Sequence, residues 1–201
     1  MVCGGAHALH DGFTDLLNVL YPLLQAQFGL SYAAVGALKT VYSGAMASGQ
    51  IPAGFLARRF GGVAVLAAGT ALIALGYLAA GLTGSMVGVV AGLVLAGLGG
   101  ATQHPIASSL VSAAYPGLRS RTALGTYNFT GDLGKVVLPA LFALIAASLG
   151  WQQAMMVLAA VAVAGAGLIL ATLQTPPEPR AVESKAVAGQ DRPWALSLIH
   201  I

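Results

Sequence analysis

The chain has 201 residues, 57% of them apolar and only 7% charged, with a formal net charge of +3. A soluble globular domain carries roughly 25% charged residues, so this composition excludes an ordinary water-soluble fold. The basic residues lie in short joints and a tail rather than in one patch, which argues against nucleic acid and for a lipid bilayer as the partner.

Apolar runs long enough to cross about 30 Å of hydrocarbon predict six spans. The first, 5–28, starts almost at Met1 without a basic leader and carries His7, His10, Asp11, Asp15 and Asn18, so no cleavable signal peptide is predicted. On a helical projection His7, Asp11, Thr14, Asp15 and Asn18 share one face. Span two, 33–56, aligns Lys39, Ser43, Met46 and Gln50. Span three, 62–82, has nothing more polar than Thr70 and Tyr77. Span four, 86–114, aligns Gly97, Gly100, His104 and Ser108, and span five, 122–149, aligns Asn128, Asp132, Lys135 and Pro139. Span six, 151–173, is apolar beyond Gln153.

The joints are short and rich in turn residues: Gly29-Leu30-Ser31-Tyr32, Arg58 to Gly62, Thr83-Gly84-Ser85, Pro116 to Arg119, and Gly150 before Trp151. Arg58 and Arg59 follow span two, Arg119 and Arg121 follow span four, and Arg180, Lys185 and Arg192 follow span six. The other joints carry no Lys or Arg. The positive-inside rule then places both termini in the cytoplasm of a cell whose plasma or inner membrane holds the chain. Residues 174–201 read as a cytoplasmic linker or tail, because Thr175-Pro176-Pro177-Glu178-Pro179 cannot continue a helix. The apolar run from Trp194 to Ile201 stops abruptly, and the chain reads as truncated there.

Polarity repeats along the chain. Spans one and two are polar and three is not; four and five are polar and six is not. Lys39 and Lys135 hold matching places. This is the weak symmetry of two inverted three-helix repeats, which predicts spans three and six against lipid and the other four around a polar centre. The fold class is therefore an all-α membrane protein, a six-helix transmembrane bundle. Asp11, Asp15, Lys39, Asp132 and Lys135 would each cost about 2.5–3.5 kcal/mol unpaired at the bilayer centre, so they must pair or meet water. They sum to one uncompensated negative charge, which suits a proton-coupled carrier. Asp132 and Lys135, three residues apart on one helix, can equally well neutralise each other. His7, His10, Asp11 and His104 follow no standard ligand spacing, so no metal is predicted, and neither is a cofactor. The glycines from Gly92 to Gly100 read as close helix packing, and Pro105 and Pro139 as bends. Cys3 has no partner for an intramolecular disulfide.

Residues 5–173 resemble the N-terminal six-helix half of a major facilitator superfamily transporter, and within it the fosmidomycin-resistance-type efflux permeases. The resemblance rests on His7-Ala8-Leu9 with Asp11, on Gly29-Leu30-Ser31-Tyr32 with Gly36, and on Gly97-Leu98-Gly99-Gly100 followed by His104-Pro105 and Ala107-Ser108. The superfamily's loop signature Gly-x-Leu-x-Asp-Arg-x-Gly-Arg-Lys/Arg is matched at Gly54, Leu56, Arg59 and Gly61, with Arg58 in place of the aspartate and Gly62 in place of the next arginine. Val94 stands where the antiporters carry an arginine, and the antiporter motif of span five is not clear in Gly131-Asp132-Leu133-Gly134.

The resemblance implies a secondary transporter working by alternating access with a second, C-terminal six-helix half. A proton-coupled efflux carrier for a drug or metabolite is expected, with proton-coupled uptake of a small metabolite as the alternative. A non-transporting six-helix protein and an intramembrane acyltransferase are the readings from other classes. The expected solute and proton pathway comprises Asp11, Asp15, Asn18, Lys39, Gln50, His104, Asn128, Asp132 and Lys135. Asp15, Asp132 and Lys135 are expected at its centre, with His7, Asp11 and His104 nearer the cytoplasmic mouth. Gly54, Arg58, Arg59 and Gly61 are expected to form the cytoplasmic gate loop.

Overall fold

The computed structural model describes residues 2–115 and 117–173, so the tail beyond Leu173 lies outside the described residues. The described residues fold into eight helical segments arranged as six rods, with no strand among them. The first rod is α1 (Val2–Asp15) and α2 (Leu17–Phe28), the second α3 (Tyr32–Phe60) and the third α4 (Gly62–Thr83). The fourth is α5 (Met86–Gly100) and α6 (Gln103–Ala114), the fifth α7 (Leu118–Leu149) and the sixth α8 (Trp151–Thr172).

Local sequence accounts for the joints. Ser31 and Ser85 begin α3 and α5 by accepting the Ala34 and Gly88 amides at 3.2 and 3.1 Å, which satisfies donors that a helix start leaves orphaned. Between the second and third rod of each triplet the turn is one glycine. Gly61 (φ 87°, ψ 141°) ends α3 and Gly150 (φ 91°, ψ 159°) ends α7, in a region that only glycine enters without strain. The first rod of each triplet is broken after a similar length, 14 residues of α1 and 15 of α5, leaving 12-residue α2 and α6. In the fourth rod the break at Ala101–Thr102 falls where Pro105 lacks an amide and crowds the carbonyl four residues before it. α7, in contrast, runs unbroken through Pro139.

Four helical stretches are long and apolar enough to cross a membrane: Gly62–Thr83, Met86–Ala114, Arg119–Leu149 and Trp151–Thr172. The first two rods are not among them. α3 has the length, with 29 residues, but Lys39, Arg58, Arg59 and its serines dilute its apolar character.

Within this chain the third rod packs closely on one side: 61% of the most apolar stretch of α4 is buried, against 17% for α7. Leu75, Leu78 and Leu82 on its other side are exposed. Helices in a bilayer associate through close packing of small residues rather than through escape from water. Gly69 faces Gly99 and Gly76 faces Gly92, so tightly that a methyl group on any of the four would strike the backbone of the opposite helix. α4 is also held by two of its polar groups, Thr70 bonded to His10 at 2.8 Å and the Tyr77 hydroxyl donating to the Phe13 carbonyl. Exposed apolar residues lie on α3 and α7, among them Ile51, Phe55, Phe129, Val136 and Leu144, and also on α4 and α8, among them Leu75, Leu82, Val163 and Leu170.

The interior is layered. One apolar cluster holds Phe13 to Leu24, Ile73, Tyr77, Val89, Leu93, Leu138, Phe142 and the first half of α8. A second holds Ala6, Val63 to Ala67, Ile106, Ala107, Val111, Tyr127 and Ile169. The buried polar residues His7, His10, Asp11, Thr70, Thr102 and Gln103 all fall between the two clusters along their helices.

The joint geometry predicts that Gly150→Ala costs about 1–3 kcal/mol through backbone strain. Gly36→Ala, on the open side of α3 where an added methyl meets nothing, is expected to be neutral or to stabilise by about 0.5–1 kcal/mol. Thermal unfolding of the two variants in one detergent checks the contrast.

Candidate functional site

Asp11 is the hub of the polar layer. It stands on α1 about two and a half turns in, and its side chain is only 10% exposed. His7, one turn earlier on the same face, approaches Asp11 Oδ2 with Nε2 at 2.9 Å. Lys135 of α7 brings its ammonium to 3.2 Å from the same oxygen. His104, at the start of α6, lies 4.0 Å from Asp11 Oδ1. Lys135 also donates to Asp132 Oδ1 at 3.0 Å, so one ammonium bridges a buried and an exposed carboxylate.

Close packing makes this approach possible. Gly131 of α7 lies against His7 and Asp11, and Gly134 against the backbone of Ala8; any side chain there would drive α1 and α7 apart. The His7 ring packs against Tyr127 at a tilt of 55°, with centroids 3.9 Å apart, and meets His104 edge-on at 5.7 Å. Tyr127 in turn accepts from Gln103 Nε2 at 3.2 Å. On the opposite side of α1, His10 is bonded to Thr70 and buried, and one turn on Thr14 is bonded to Tyr42 of α3 at 2.9 Å. α1 is thus fixed by polar contacts to α3, α4 and α7.

Two small cavities open beside the hub. One of about 150 Å³ is lined by Asp11, Thr14, Asp15, Met46, His104 and Lys135. The other, about 130 Å³, is lined by Asp15, Asn18, Lys39, Tyr42 and Ser43 among others, and shares Thr14, Asp15 and Met46 with the first. Asp15 accepts from Asn18 at 3.1 Å. Neither Asp15 nor Lys39 is in an ion pair among the described residues.

The structure therefore brings together Asp11, His104, Lys135 and Asp132, and sets Asp15, Asn18 and Lys39 around an adjoining cavity. It puts Asp11 rather than Asp15 at the buried centre, and leaves Asp132 at the open edge with 68% of its side chain exposed. The reason lies in the register of α7. Its buried face is Tyr127, Gly131, Gly134, Leu138 and Phe142, one residue displaced from the polar stripe Asn128, Asp132 and Lys135. Only the long lysine side chain reaches back to α1. Gln50 and Asn128 are exposed and line neither cavity.

At the far end of α3, Gly54 has open space around it, Arg58 stacks over Phe55 at 4.4 Å and Arg59 over Phe60 at 5.5 Å, before Gly61 turns the chain. Neither arginine meets a carboxylate among the described residues. Tyr127 was not singled out by sequence; its four-residue spacing to Gly131 on the buried face of α7 was the available signal.

Comparison with known proteins identifies the architecture. The sequence model of the Major Facilitator Superfamily matches residues 4–200. The chain belongs to that superfamily. It is 29% identical over 161 residues to the tetracenomycin C resistance and export protein of Streptomyces glaucescens, covering 79% of this chain and 30% of that protein. It is 29% identical to the fosmidomycin resistance protein of Escherichia coli K12 over 145 residues, 72% of this chain and 36% of the relative. A probable sulfoacetate transporter of Cupriavidus necator is 26% identical over 72% of this chain and 34% of its own. The chain thus spans about a third of the length of the curated relatives it matches. Among solved structures it resembles the POT family transporter PepTSo, with a TM-score of 0.71 at 20% identity over 89% of this chain and 38% of that one, a likeness of fold. The superfamily consists of integral membrane proteins, and the relatives of this chain include a resistance and export protein and a probable sulfoacetate transporter.

Removing Lys135 leaves Asp11 with histidine alone. Lys135→Met is expected to destabilise by about 2–3 kcal/mol, below the loss for a fully buried pair because the lysine is partly exposed. Adding Asp11→Asn is expected to restore at least about 1 kcal/mol of that loss, as contacting residues are coupled. A double-mutant cycle of unfolding free energies in detergent measures it.

Proposed function

We propose that this chain is the N-terminal half of a proton-coupled secondary carrier that exports a small solute by alternating access. One observation carries the reading: a buried carboxylate, Asp11, is held between the two apolar clusters by a lysine that has a second carboxylate within reach, beside two cavities. An ion pair with an alternative partner is a two-position device. When Asp11 is ionised it holds Lys135 and ties α1 to α7. When a proton neutralises Asp11, Lys135 keeps Asp132 alone, and the tie loosens. His7 and His104, each close to Asp11, supply the route by which the proton arrives or leaves.

Asp15, Asn18 and Lys39 line the adjoining cavity and serve as the solute-facing side of the pathway. The polar stripe of α7 and the exposed apolar residues of α3 and α7 face a second six-helix half, with which the cavities close into a full site. The coverage of about a third of each relative supports this assignment. Arg58 and Arg59 at one end of the bundle, with Arg119 and Arg121 at the same end, support a cytoplasmic location for that end and for both termini, in the cell membrane. Gly54, Arg58, Arg59 and Gly61 then lie at the cytoplasmic gate.

Export is favoured by the resistance and export proteins among the relatives. Import is the second reading, and the sulfoacetate transporter among the relatives supports it.

Inverted membrane vesicles containing the full-length protein, with an imposed pH gradient, test both steps. With fosmidomycin and sulfoacetate as probe solutes, export predicts solute accumulation inside inverted vesicles whose lumen is acidic. Asp11→Asn is expected to reduce gradient-driven accumulation at least tenfold, a loss of about 1.4 kcal/mol of driving coupling or more. Undiminished gradient-driven transport by Asp11→Asn, Asp15→Asn and Asp132→Asn alike would overturn proton coupling through these groups, and accumulation in right-side-out vesicles alone would reverse the direction.

A further inference from the structure

Metal-ligating side chains from two rods converge in the polar layer. His7 and Asp11 stand one turn apart on α1, and His104 comes from the start of α6, on the far side of the Ala101–Thr102 break. One ligand atom from each lies within 4.8 Å of the other two. Ligands around one tetrahedral zinc ion at about 2.0–2.2 Å stand about 3.3 Å from each other. The 2.9 Å between His7 Nε2 and Asp11 Oδ2 is close to that spacing, and the 4.0 Å between His104 Nε2 and Asp11 Oδ1 closes with a small swing of the ring. The His104 side chain is 55% exposed, and its ring makes no hydrogen bond among the described residues, so the swing meets little resistance.

We propose that His7, Asp11 and His104 form a divalent transition-metal site of the zinc class, filled in competition with Lys135. Two imidazoles and a carboxylate are the nitrogen and oxygen donors that zinc and its neighbours prefer, and magnesium or calcium does not. The competition follows from geometry. Lys135 and His7 approach the same oxygen of Asp11, so a metal ion bound there beside His7 competes with the ammonium for that oxygen and is repelled by its charge. Lys135 can withdraw because Asp132 holds it at 3.0 Å. His7 can turn its Nε2 lone pair to a metal because Nδ1 has no hydrogen-bond partner that fixes the tautomer. The fourth position opens on the cavity of about 150 Å³ that Thr14, Asp15 and Met46 also line, where water or Asp15 completes the set.

The test is a calorimetric titration of Zn²⁺ into the untagged, metal-stripped full-length protein in detergent, with Co²⁺ absorption reporting ligand geometry. Binding of one Zn²⁺ per chain is expected, with four-coordinate Co²⁺ bands. His104→Ala alters an exposed side chain and leaves the fold intact; it is expected to weaken binding by more than about 100-fold, beyond what loss of an outer-shell partner costs. Lys135→Met is expected to tighten binding, since it removes the competitor. Unchanged affinity in His104→Ala, or weaker binding in Lys135→Met, would overturn the proposal, as would absence of binding to both the wild type and Lys135→Met. Binding is read without transport, so its failure leaves the carrier reading standing.

Discussion

A carboxylate buried in an apolar bundle must be answered by a cation or by a proton, and most of this structure follows from how Asp11 is answered. Unpaired, it would cost about 2.5–3.5 kcal/mol on insertion. Lys135 reaches it from a neighbouring helix and His7 from the preceding turn. That geometry demands that α1 and α7 approach closely, which Gly131 and Gly134 allow by presenting no side chain to His7, Asp11 and Ala8. Small residues in α7 are therefore as much part of the site as the charges are.

The surrounding layers keep the interaction strong. Apolar clusters above and below confine the buried polar groups to one level, where the low dielectric magnifies both the ion pair and the cost of losing it. At the same level His10 is bonded to Thr70 and Gln103 to Tyr127, neighbours on different rods, while His7 Nδ1, His10 Nδ1 and Gln103 Oε1 have no hydrogen-bond partner among the described residues. Lys135 alone among the described residues has two carboxylates within reach. That choice of partner is what gives a change of protonation or of ligand a mechanical consequence.

The architecture was visible in the sequence because its signals are local. Apolar runs, turn glycines at 61 and 150 and the serines at 31 and 85 mark the rods, and the alternation of polar and apolar spans marks the triplets. The family followed from motifs in spans one, two and four. Two matters were not visible. The close packing of α4 on α5 depends on glycines meeting glycines across helices, which apolarity along one span does not reveal. The hub at Asp11 depends on a rotation of α7 by one residue, which puts Asp132 outside and the lysine's flexible tip inside. Helical projection placed Asp11, Asp15, Asp132 and Lys135 on polar faces, but it carries no information about which face of one rod meets which face of the next. His104 is brought beside His7 only by folding, so spacing along the chain gave no sign of three ligands in one place.

The central claim is that Asp11 is ionised at rest because Lys135 and His7 hold it. Infrared difference spectroscopy between wild type and Asp11→Asn, at neutral pH in lipid, reads that charge directly. The account predicts that the variant loses a carboxylate band and no carbonyl band of a protonated acid. A protonated-acid band present in the wild type and absent from Asp11→Asn would contradict it.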